Sequence, residues 1–191
     1  MRPVLLTPLI VLALSACATA PTASTPTTSP SPAASSSTST ASVATTNLAG
    51  ASGSLVSGKL MLMPMRDGVH VTGDIGGLAP GSSHGFHVHE NGDCSAADAS
   101  SAGGHFNPTG SAHGKAGTSV HHAGDIDNIV ADASGVAHVD THVSGVTLGG
   151  GAANDVVGRA IVVHAAPDDY QTQPSGNSGA RIACGVIVAG Q

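Results

Sequence analysis

Apolar residues in this chain fall in short runs, and many of these runs alternate with polar residues at every second position. Residues 60–63 (Leu-Met-Leu-Met) lead into the turn sequence Arg66-Asp67-Gly68, and residues 69–73 (Val-His-Val-Thr-Gly) then alternate apolar and polar. A period of two is typical of a β-strand with one buried face, and a Gly-containing turn between two such runs predicts a β-hairpin. These two runs are therefore predicted to be paired antiparallel strands.

Further segments carry strand patterns, whereas no stretch has a convincing helical period. They are residues 85–89, residues 128–133 and 136–143 as a second hairpin, residues 156–164 and residues 181–189. Many short strands joined by Gly-rich turns predict an antiparallel sandwich or barrel. Two long stretches, residues 91–125 and 165–180, carry no strand pattern, and loops of that length in a compact domain are usually functional.

The N-terminal segment has the features of an export signal. Residues 4–14 form an apolar run that is too short to span a bilayer and has the length of the apolar region of a signal peptide. The following Leu14-Ser15-Ala16-Cys17 resembles the lipobox of bacterial lipoproteins, in which the signal is cut before Cys and that Cys is lipidated. Cleavage after residues 18–20 (Ala-Thr-Ala) is the alternative, and in either case the protein leaves the cytoplasm.

Low complexity separates this signal from the rest of the chain. Residues 17–46 are almost entirely Ala, Ser, Thr and Pro, which cannot bury enough apolar surface to offset the entropy of ordering. We therefore predict a lipoprotein-type signal peptide over residues 1–16, a disordered tether over residues 17–46 and a folded domain over residues 47–191.

Composition narrows the class of function. The 191 residues include 26 Gly, one Tyr, two Phe and no Trp, so the core has to be built from Val, Ile, Leu and Ala. Only 9% of residues are charged and the formal net charge is −6, so a nucleic-acid partner is not expected. The 11 histidines are more than core filling explains, and histidine is the commonest metal ligand.

Two groups of these histidines have the spacing of metal ligands. His87 and His89 are two residues apart on a predicted strand, so both imidazoles face one side and can bind one ion. His105, His113 and His122 with Asp125 lie in the first long loop, and three nitrogens with one oxygen suit tetrahedral zinc. Any single one of these residues could instead be a solvated loop histidine or a capping aspartate. These alternatives explain four such residues together much less well. His164 ends a predicted strand where the second long loop begins.

Five motifs resemble, in the same order, those of the copper/zinc superoxide dismutase family. They are Gly85-Phe86-His87-Val88-His89-Glu90, Gly104-His105-Phe106-Asn107-Pro108, Gly124-Asp125, Gly158-Arg159 with Val162-Val163-His164, and Gly179-Ala180-Arg181-Ile182-Ala183-Cys184-Gly185-Val186-Ile187. The similarity covers about residues 47–191, and Glu90-Asn91-Gly92-Asp93-Cys94 resembles the bacterial branch. The resemblance implies an all-β fold, an eight-stranded antiparallel Greek-key β-sandwich or barrel with two long functional loops.

The resemblance also implies a role for each matching residue. It implies one copper ion per subunit on His87, His89, His105 and His164, and one zinc ion on His105, His113, His122 and Asp125. The neighbouring His121 is an alternative to His122, but the family's His-x-x-Asp spacing selects His122. Asp168, with Asp169 as the alternative, matches a carboxylate that links a copper histidine to a zinc histidine. Cys94 and Cys184 match the family's disulfide, and Arg181 matches its anion-docking guanidinium.

The reaction expected from this resemblance is disproportionation of superoxide to dioxygen and hydrogen peroxide. Copper alternates between its oxidised and reduced states, and His105 detaches from reduced copper and takes up a proton that is then available to the second superoxide. Because the chain is acidic, a local positive charge from copper and Arg181 has to attract the anion, with Lys115 as a further candidate. The alternatives are a non-catalytic copper/zinc-binding module of the same fold and a structural lipoprotein without catalysis.

Partners and location follow from the same features. We expect superoxide as substrate, no nucleic acid, and a membrane contact through a lipid anchor at Cys17. The sequence does not decide between a monomer and a homodimer, because bacterial members of the family use other dimer surfaces or none. The expected location is the periplasmic side of the bacterial cell envelope, where the enzyme protects against extracytoplasmic superoxide.

Overall fold

The computed structural model describes residues 38–190, and this part of the chain consists almost entirely of β-strands and loops. Its strands are β1 (Ala44–Gly50), β2 (Ser57–Met65), β3 (Gly68–Gly76), β4 (Ser83–His84), β5 (Phe86–His89), β6 (Ile129–Val130), β7 (Ala137–Ser144), β8 (Ala160–His164), β9 (Arg181–Val186) and β10 (Val188–Ala189). One short 3-10 helix, Ser100–Ala102, is the helical element of the described residues. The predicted all-β class is confirmed.

Eight of these strands form one antiparallel sheet, and β4 pairs with β6 in a separate two-stranded sheet. Along the large sheet the order is β5-β8-β9-β1-β2-β3-β7, and β10 pairs with the start of β1. The hairpin predicted around Arg66-Asp67-Gly68 is present as β2 and β3. The two long segments without strand pattern are loops. One follows β5 and the other follows β8, the two strands at one edge of the large sheet.

Aliphatic side chains fill the core, as the scarcity of aromatic residues predicts. Alternate residues of β2 and β3 are buried, including Leu60, Leu62, Val71 and Ile75, while their neighbours face solvent. Every residue of β5 and β8 is buried, because sheet and loops cover both faces of these two strands. Side chains on β5 and β8 are therefore held in a water-poor environment.

The first strand begins earlier than composition predicts. β1 starts at Ala44, within the segment expected to be a tether, and Ala44 and Thr46 are buried. Thr40 and Ala41 also donate backbone hydrogen bonds to the carbonyl of Leu148, at 3.1 and 2.9 Å. Small residues suffice here because β2 and β10 supply paired backbone on either side. Low complexity thus conceals a strand, and residues 38–46 pack with the domain.

The second predicted hairpin is not formed. β6 is only two residues long and pairs with β4, whereas β7 pairs with β3. Between them the carboxylate of Asp132 accepts backbone hydrogen bonds from Ser134 and Val136, at 2.8 and 3.0 Å. This capped turn redirects the chain, so β6 and β7 are not ladder partners.

The predicted signal peptide and the lipidation site at Cys17 lie outside the described residues. Among residues 38–190, no helix has the length and hydropathy needed to cross a membrane.

Candidate metal centre

Strand pairing brings distant residues of the predicted site together at the edge of the sheet formed by β5 and β8. In the register of β5 against β8, His87 lies opposite Val162 and His89 opposite Ala160. β8 ends at His164, where an irregularity in the pairing sets this residue opposite Arg181, the first residue of β9. In this register His87, His89 and His164 share one face of the β5–β8 pair, and Arg181 lies beside His164.

Backbone bridges attach the first long loop to the same strand. His87 is bridged to Asp125, and His89 is bridged to His105. The glycine beside Asp125 permits this contact, because a Cβ at Gly124 would lie 2.2 Å from the carbonyl oxygen of Val88. The loop is thus held against β5 through its backbone, which places its histidines beside those of the strand.

Four buried histidines form a first cluster: His87, His89, His105 and His164. One ring nitrogen from each lies within 4.8 Å of the others, and Nε2 of His89 is 3.3 Å from Nε2 of His164. Nδ1 of His87 and Nε2 of His105 are buried without a hydrogen-bond partner. Because buried polar atoms are rarely left unpaired, converging lone pairs of this kind fit a bound cation. An all-imidazole set suits copper.

The outer ring nitrogens of this cluster are fixed by acceptors. His89 Nδ1 donates to the carbonyl of Gly103 at 3.0 Å, and His164 Nδ1 donates to the carbonyl of Gly179 at 3.3 Å. His87 Nε2 donates to Asp168 Oδ2 at 2.8 Å. Donation at the outer nitrogen fixes the tautomer and leaves the inner nitrogen with its lone pair, which is the state that binds a metal ion.

The second cluster consists of His105, His113, His122 and Asp125, all buried. Nδ1 atoms of the three histidines lie 2.8, 3.0 and 3.2 Å from Asp125 Oδ1, in the order of the sequence. Ligand atoms of a tetrahedral ion with bonds of about 2.0 Å are about 3.3 Å apart, so the N3O set fits zinc. The His121 ring is directed at the carbonyl of His122 instead, at 2.6 Å.

Asp168 joins the two clusters. Its Oδ2 accepts from His87, and its Oδ1 accepts from His113 Nε2 at 3.0 Å. Both imidazoles and the carboxylate are fully buried in this contact. The alternative, Asp169, is exposed and accepts from Thr172 at 2.7 Å. Asp168 is therefore the residue that orients one histidine of each cluster.

Burial sets the ionisation of the site. Burial lowers the pKa of His87 to about 4 and that of His164 to about 3, and it holds the pKa of His89 well below its ordinary value. For Asp125, burial raises the pKa, but hydrogen bonds from His105 and from backbone N–H groups outweigh it and hold the pKa well below its ordinary value. Neutral imidazoles beside an ionised carboxylate are the protonation states that a divalent cation needs.

A cavity of about 480 Å³ opens next to the first cluster. His89, His105 and His164 line it, together with Arg181. The guanidinium of Arg181 is half-buried and donates to the carbonyl of Ala99 at 2.6 Å and to that of Gly103 at 2.5 Å. Burial lowers the pKa of Arg181, but an arginine stays charged at neutral pH. The cavity thus offers a fixed positive charge close to the histidines.

A disulfide holds the loop that positions this arginine. Cys94 and Cys184 are bonded, with a sequence separation of 90 residues. Cys184 lies on β9, three positions after Arg181, and Cys94 begins the segment that carries the carbonyl groups of Ala99 and Gly103.

Some contributors to the site had no signal in the sequence. The Gln173 side chain accepts from the backbone N–H of His113 and donates to its carbonyl, both at 2.9 Å. His84 is buried behind the site, where its Nδ1 donates to the carbonyl of His164 at 2.7 Å. Only the proximity of His84 to the His87 motif could have indicated a role. Lys115, the weaker candidate for attracting an anion, does not line the cavity, and its ammonium lies over the ring of Tyr170.

The fold and the site together define a class: an all-β protein with two adjoining metal-binding clusters that share one histidine. The family model for copper/zinc superoxide dismutase (SODC) matches residues 56–187. The chain is 43% identical over 135 residues to superoxide dismutase [Cu-Zn] 2 of Aquifex aeolicus, covering 69% of this chain and 79% of the relative. It is 39% identical over 141 residues to the extracellular superoxide dismutase [Cu-Zn] of Brugia pahangi, covering 69% of each.

A solved structure has a similar fold and a related sequence. The crystal structure of a SOD-like protein from Bacillus subtilis matches with a TM-score of 0.69 and 36% identity, covering 75% of this chain and 97% of that one. This chain belongs to the copper/zinc superoxide dismutase family. Its cofactors are copper and zinc, for which the two clusters supply suitable donor sets.

Proposed function

We propose that this chain catalyses the disproportionation of superoxide into dioxygen and hydrogen peroxide. The observation that carries the proposal is the position of His105, which belongs to both buried clusters and lines the cavity that also holds Arg181. His87, His89, His105 and His164 would hold copper, and His105, His113, His122 and Asp125 would hold zinc. When bound, copper supplies the one-electron chemistry that oxidises one superoxide and reduces the next, whereas zinc is redox-inert.

His105 is the residue that we assign to proton delivery. Its Nδ1 faces Asp125 at 2.8 Å, and its Nε2 is buried without a partner on the side of the first cluster. A proton held at Nε2 lies beside the cavity, where the second superoxide takes up one electron and two protons to become hydrogen peroxide; His105 supplies one of these protons and solvent the other. Its Nδ1 belongs to the cluster that would hold zinc, so the ring would stay in place from this side while the proton at Nε2 moves.

Arg181 is the residue that we assign to anion docking. Two carbonyl groups fix its guanidinium, which leaves its other N–H groups free for the cavity. Superoxide is a small anion, and the chain has a formal net charge of −6, so a fixed local positive charge is needed to favour its entry.

The decisive experiment is metal analysis of the purified chain with a superoxide-removal assay before and after selective removal of copper. We expect activity to disappear with copper and to return when copper is restored to the zinc-bound protein. Activity that survives complete loss of copper would contradict the proposal. Full metal content without any turnover would support a non-catalytic copper/zinc-binding module instead.

A substitution of Arg181 tests the anion-docking role. Arg181→Ile should lower turnover several-fold at unchanged copper and zinc content, because the guanidinium of Arg181 donates to the carbonyls of Ala99 and Gly103 and not to the side chain of a proposed ligand. Lys115→Ala is the matched control, since it also removes one positive charge but lies outside the cavity. Equal activity in wild type and Arg181→Ile would remove Arg181 from the mechanism.

We further propose that the enzyme acts outside the cytoplasm, anchored by a lipid on Cys17 to the bacterial cell envelope. The Cys94–Cys184 disulfide supports an oxidising compartment, and so does the name of the extracellular relative from Brugia pahangi. Mass spectrometry of the membrane fraction should detect the lipid on Cys17. In the variant Cys17→Ser, the protein should instead appear in the soluble fraction. Size-exclusion chromatography of the same material tells a homodimer from a monomer.

A further inference from the structure

All methionines of the described residues lie on the solvent face of one strand. Met61, Met63 and Met65 alternate along β2 and are 41%, 37% and 52% exposed. The buried residues between and before them are leucines, so the core contains no methionine in this part of the chain. Core packing therefore does not account for the three thioethers.

One histidine stands in the middle of this row. The register of β2 against β3 places His70 directly opposite Met63. Met61 and Met65 are two residues to either side of Met63, which makes them diagonal neighbours of His70. Side chains in opposite and diagonal positions of antiparallel strands can touch when they are long. We call these four residues, Met61, Met63, Met65 and His70, the methionine face.

A carboxylate fixes the ring of His70. Its Nε2 lies 2.7 Å from Asp140 Oδ1 on β7, and the His70 side chain is 29% exposed. With the proton on Nε2, the lone pair is on Nδ1, the ring nitrogen nearer to the strand. A histidine that donates one nitrogen to a carboxylate and keeps a lone pair on the other is in the state typical of metal ligands.

Thioethers joined by one imidazole make a soft donor set. Methionine sulfur selects Cu(I) over hard ions such as Mg²⁺ or Ca²⁺, which require oxygen ligands. We propose that the methionine face binds one Cu(I) ion through His70 and at least two of the three methionines. This site is separate from the buried clusters, and the proposal does not depend on the catalytic one. Because the face is exposed, its ion can exchange with other copper carriers.

The test uses the full chain with copper and zinc already bound, in which methionine methyl groups carry ¹³C. Silver(I) serves as a redox-inert probe for Cu(I). We expect the methyl resonances of at least two of Met61, Met63 and Met65 to shift and to saturate at one added silver ion per chain. Unmoved methyl resonances at one equivalent of silver would overturn the proposal.

A competition titration with a Cu(I) chelator then tests the ligands. The variant Met61→Leu/Met63→Leu/Met65→Leu should bind the additional Cu(I) at least tenfold more weakly, with unchanged thermal unfolding because leucine has a similar volume. His70→Asn should also weaken binding, and Leu55→Met added to the triple variant should not restore it, since Leu55 is exposed but lies outside the face. Wild-type affinity in the triple variant or in His70→Asn would refute the site.

Discussion

Removal of the Cys94–Cys184 disulfide should cost both stability and turnover. In the chain-entropy model, closing a loop of 90 residues stabilises the folded state by about 4–5 kcal/mol. Cys184 also packs in a small apolar cluster with alanines and a valine, so loss of its sulfur adds roughly 1 kcal/mol for the cavity. We therefore expect the metal-loaded Cys94→Ala/Cys184→Ala variant to be about 5–6 kcal/mol less stable to urea than the oxidised wild type.

Turnover should fall through a different route. The segment after Cys94 carries the carbonyl groups of Ala99 and Gly103, which fix the guanidinium of Arg181. When the covalent link is removed, this segment is held only by hydrogen bonds and by the packing of Ala99 and Ala102 in that apolar cluster, so Arg181 loses part of its orientation. We expect a several-fold lower rate of superoxide removal at unchanged copper and zinc content.

The control for both effects is reduction with dithiothreitol. Reduced wild type should match the double variant in rate and be about 1 kcal/mol more stable than the variant, because it keeps the sulfur of Cys184, and the variant itself should not respond to reductant. The reasoning is refuted if the variant loses less than about 1 kcal/mol and keeps the wild-type rate, because the disulfide would then neither constrain the unfolded chain nor orient Arg181.

Three further predictions concern the buried site. Asp168→Asn replaces one acceptor oxygen by a donor and should weaken metal binding about 10–100-fold in a chelator competition; unchanged zinc retention would exclude an orienting role. Without metals, the protein should lose stability to urea as the pH falls from 6.5 to about 4. The reason is that burial lowers the pKa of His87 to about 4 and that of His164 to about 3, so the unfolded chain binds protons first. Flat stability between pH 6.5 and 4 would show that these rings are not buried and neutral. Gly124→Ala should cost about 2 kcal/mol or more, because its Cβ would meet a β5 carbonyl oxygen at 2.2 Å. The matched control Gly76→Ala has no atom within 4 Å and should be close to neutral; equal melting temperatures of the two variants would contradict a close approach of Gly124 to β5.

The sequence was informative where chemistry is carried by side-chain type and spacing. His87 and His89 follow the period of a strand, and His122 and Asp125 stand three residues apart in the first long loop, so the sequence alone predicts them as candidate ligands. The alternating runs likewise predicted β2 and β3. These features are local, and local patterns are encoded by neighbouring residues.

Features that depend on backbone groups or on distant pairing could not be predicted in this way. The carbonyl groups of Gly103 and Gly179 orient two histidines, yet any residue would supply a carbonyl. Gln173 holds His113 across two loops 60 residues apart, and a single glutamine carries no motif. The start of β1 was missed for a related reason, because Ala44 is buried by its partners and not by its own size.

The acidic net charge and the capture of an anion become compatible once charges are placed in the structure. Several carboxylates of the chain lie on the solvent face of β3 and β7, where Asp74 and Asp140 pair with His138 and His70. Exposed charges farther away than the screening length of about 8 Å at physiological ionic strength contribute little to the field in the cavity. Arg181 is different, because it lines the cavity itself and is partly shielded from solvent. Glu90 lines the same cavity, so we expect anion capture to depend on Arg181 and the bound metal ions outweighing this one carboxylate, and the net charge of the chain to be a poor guide to it.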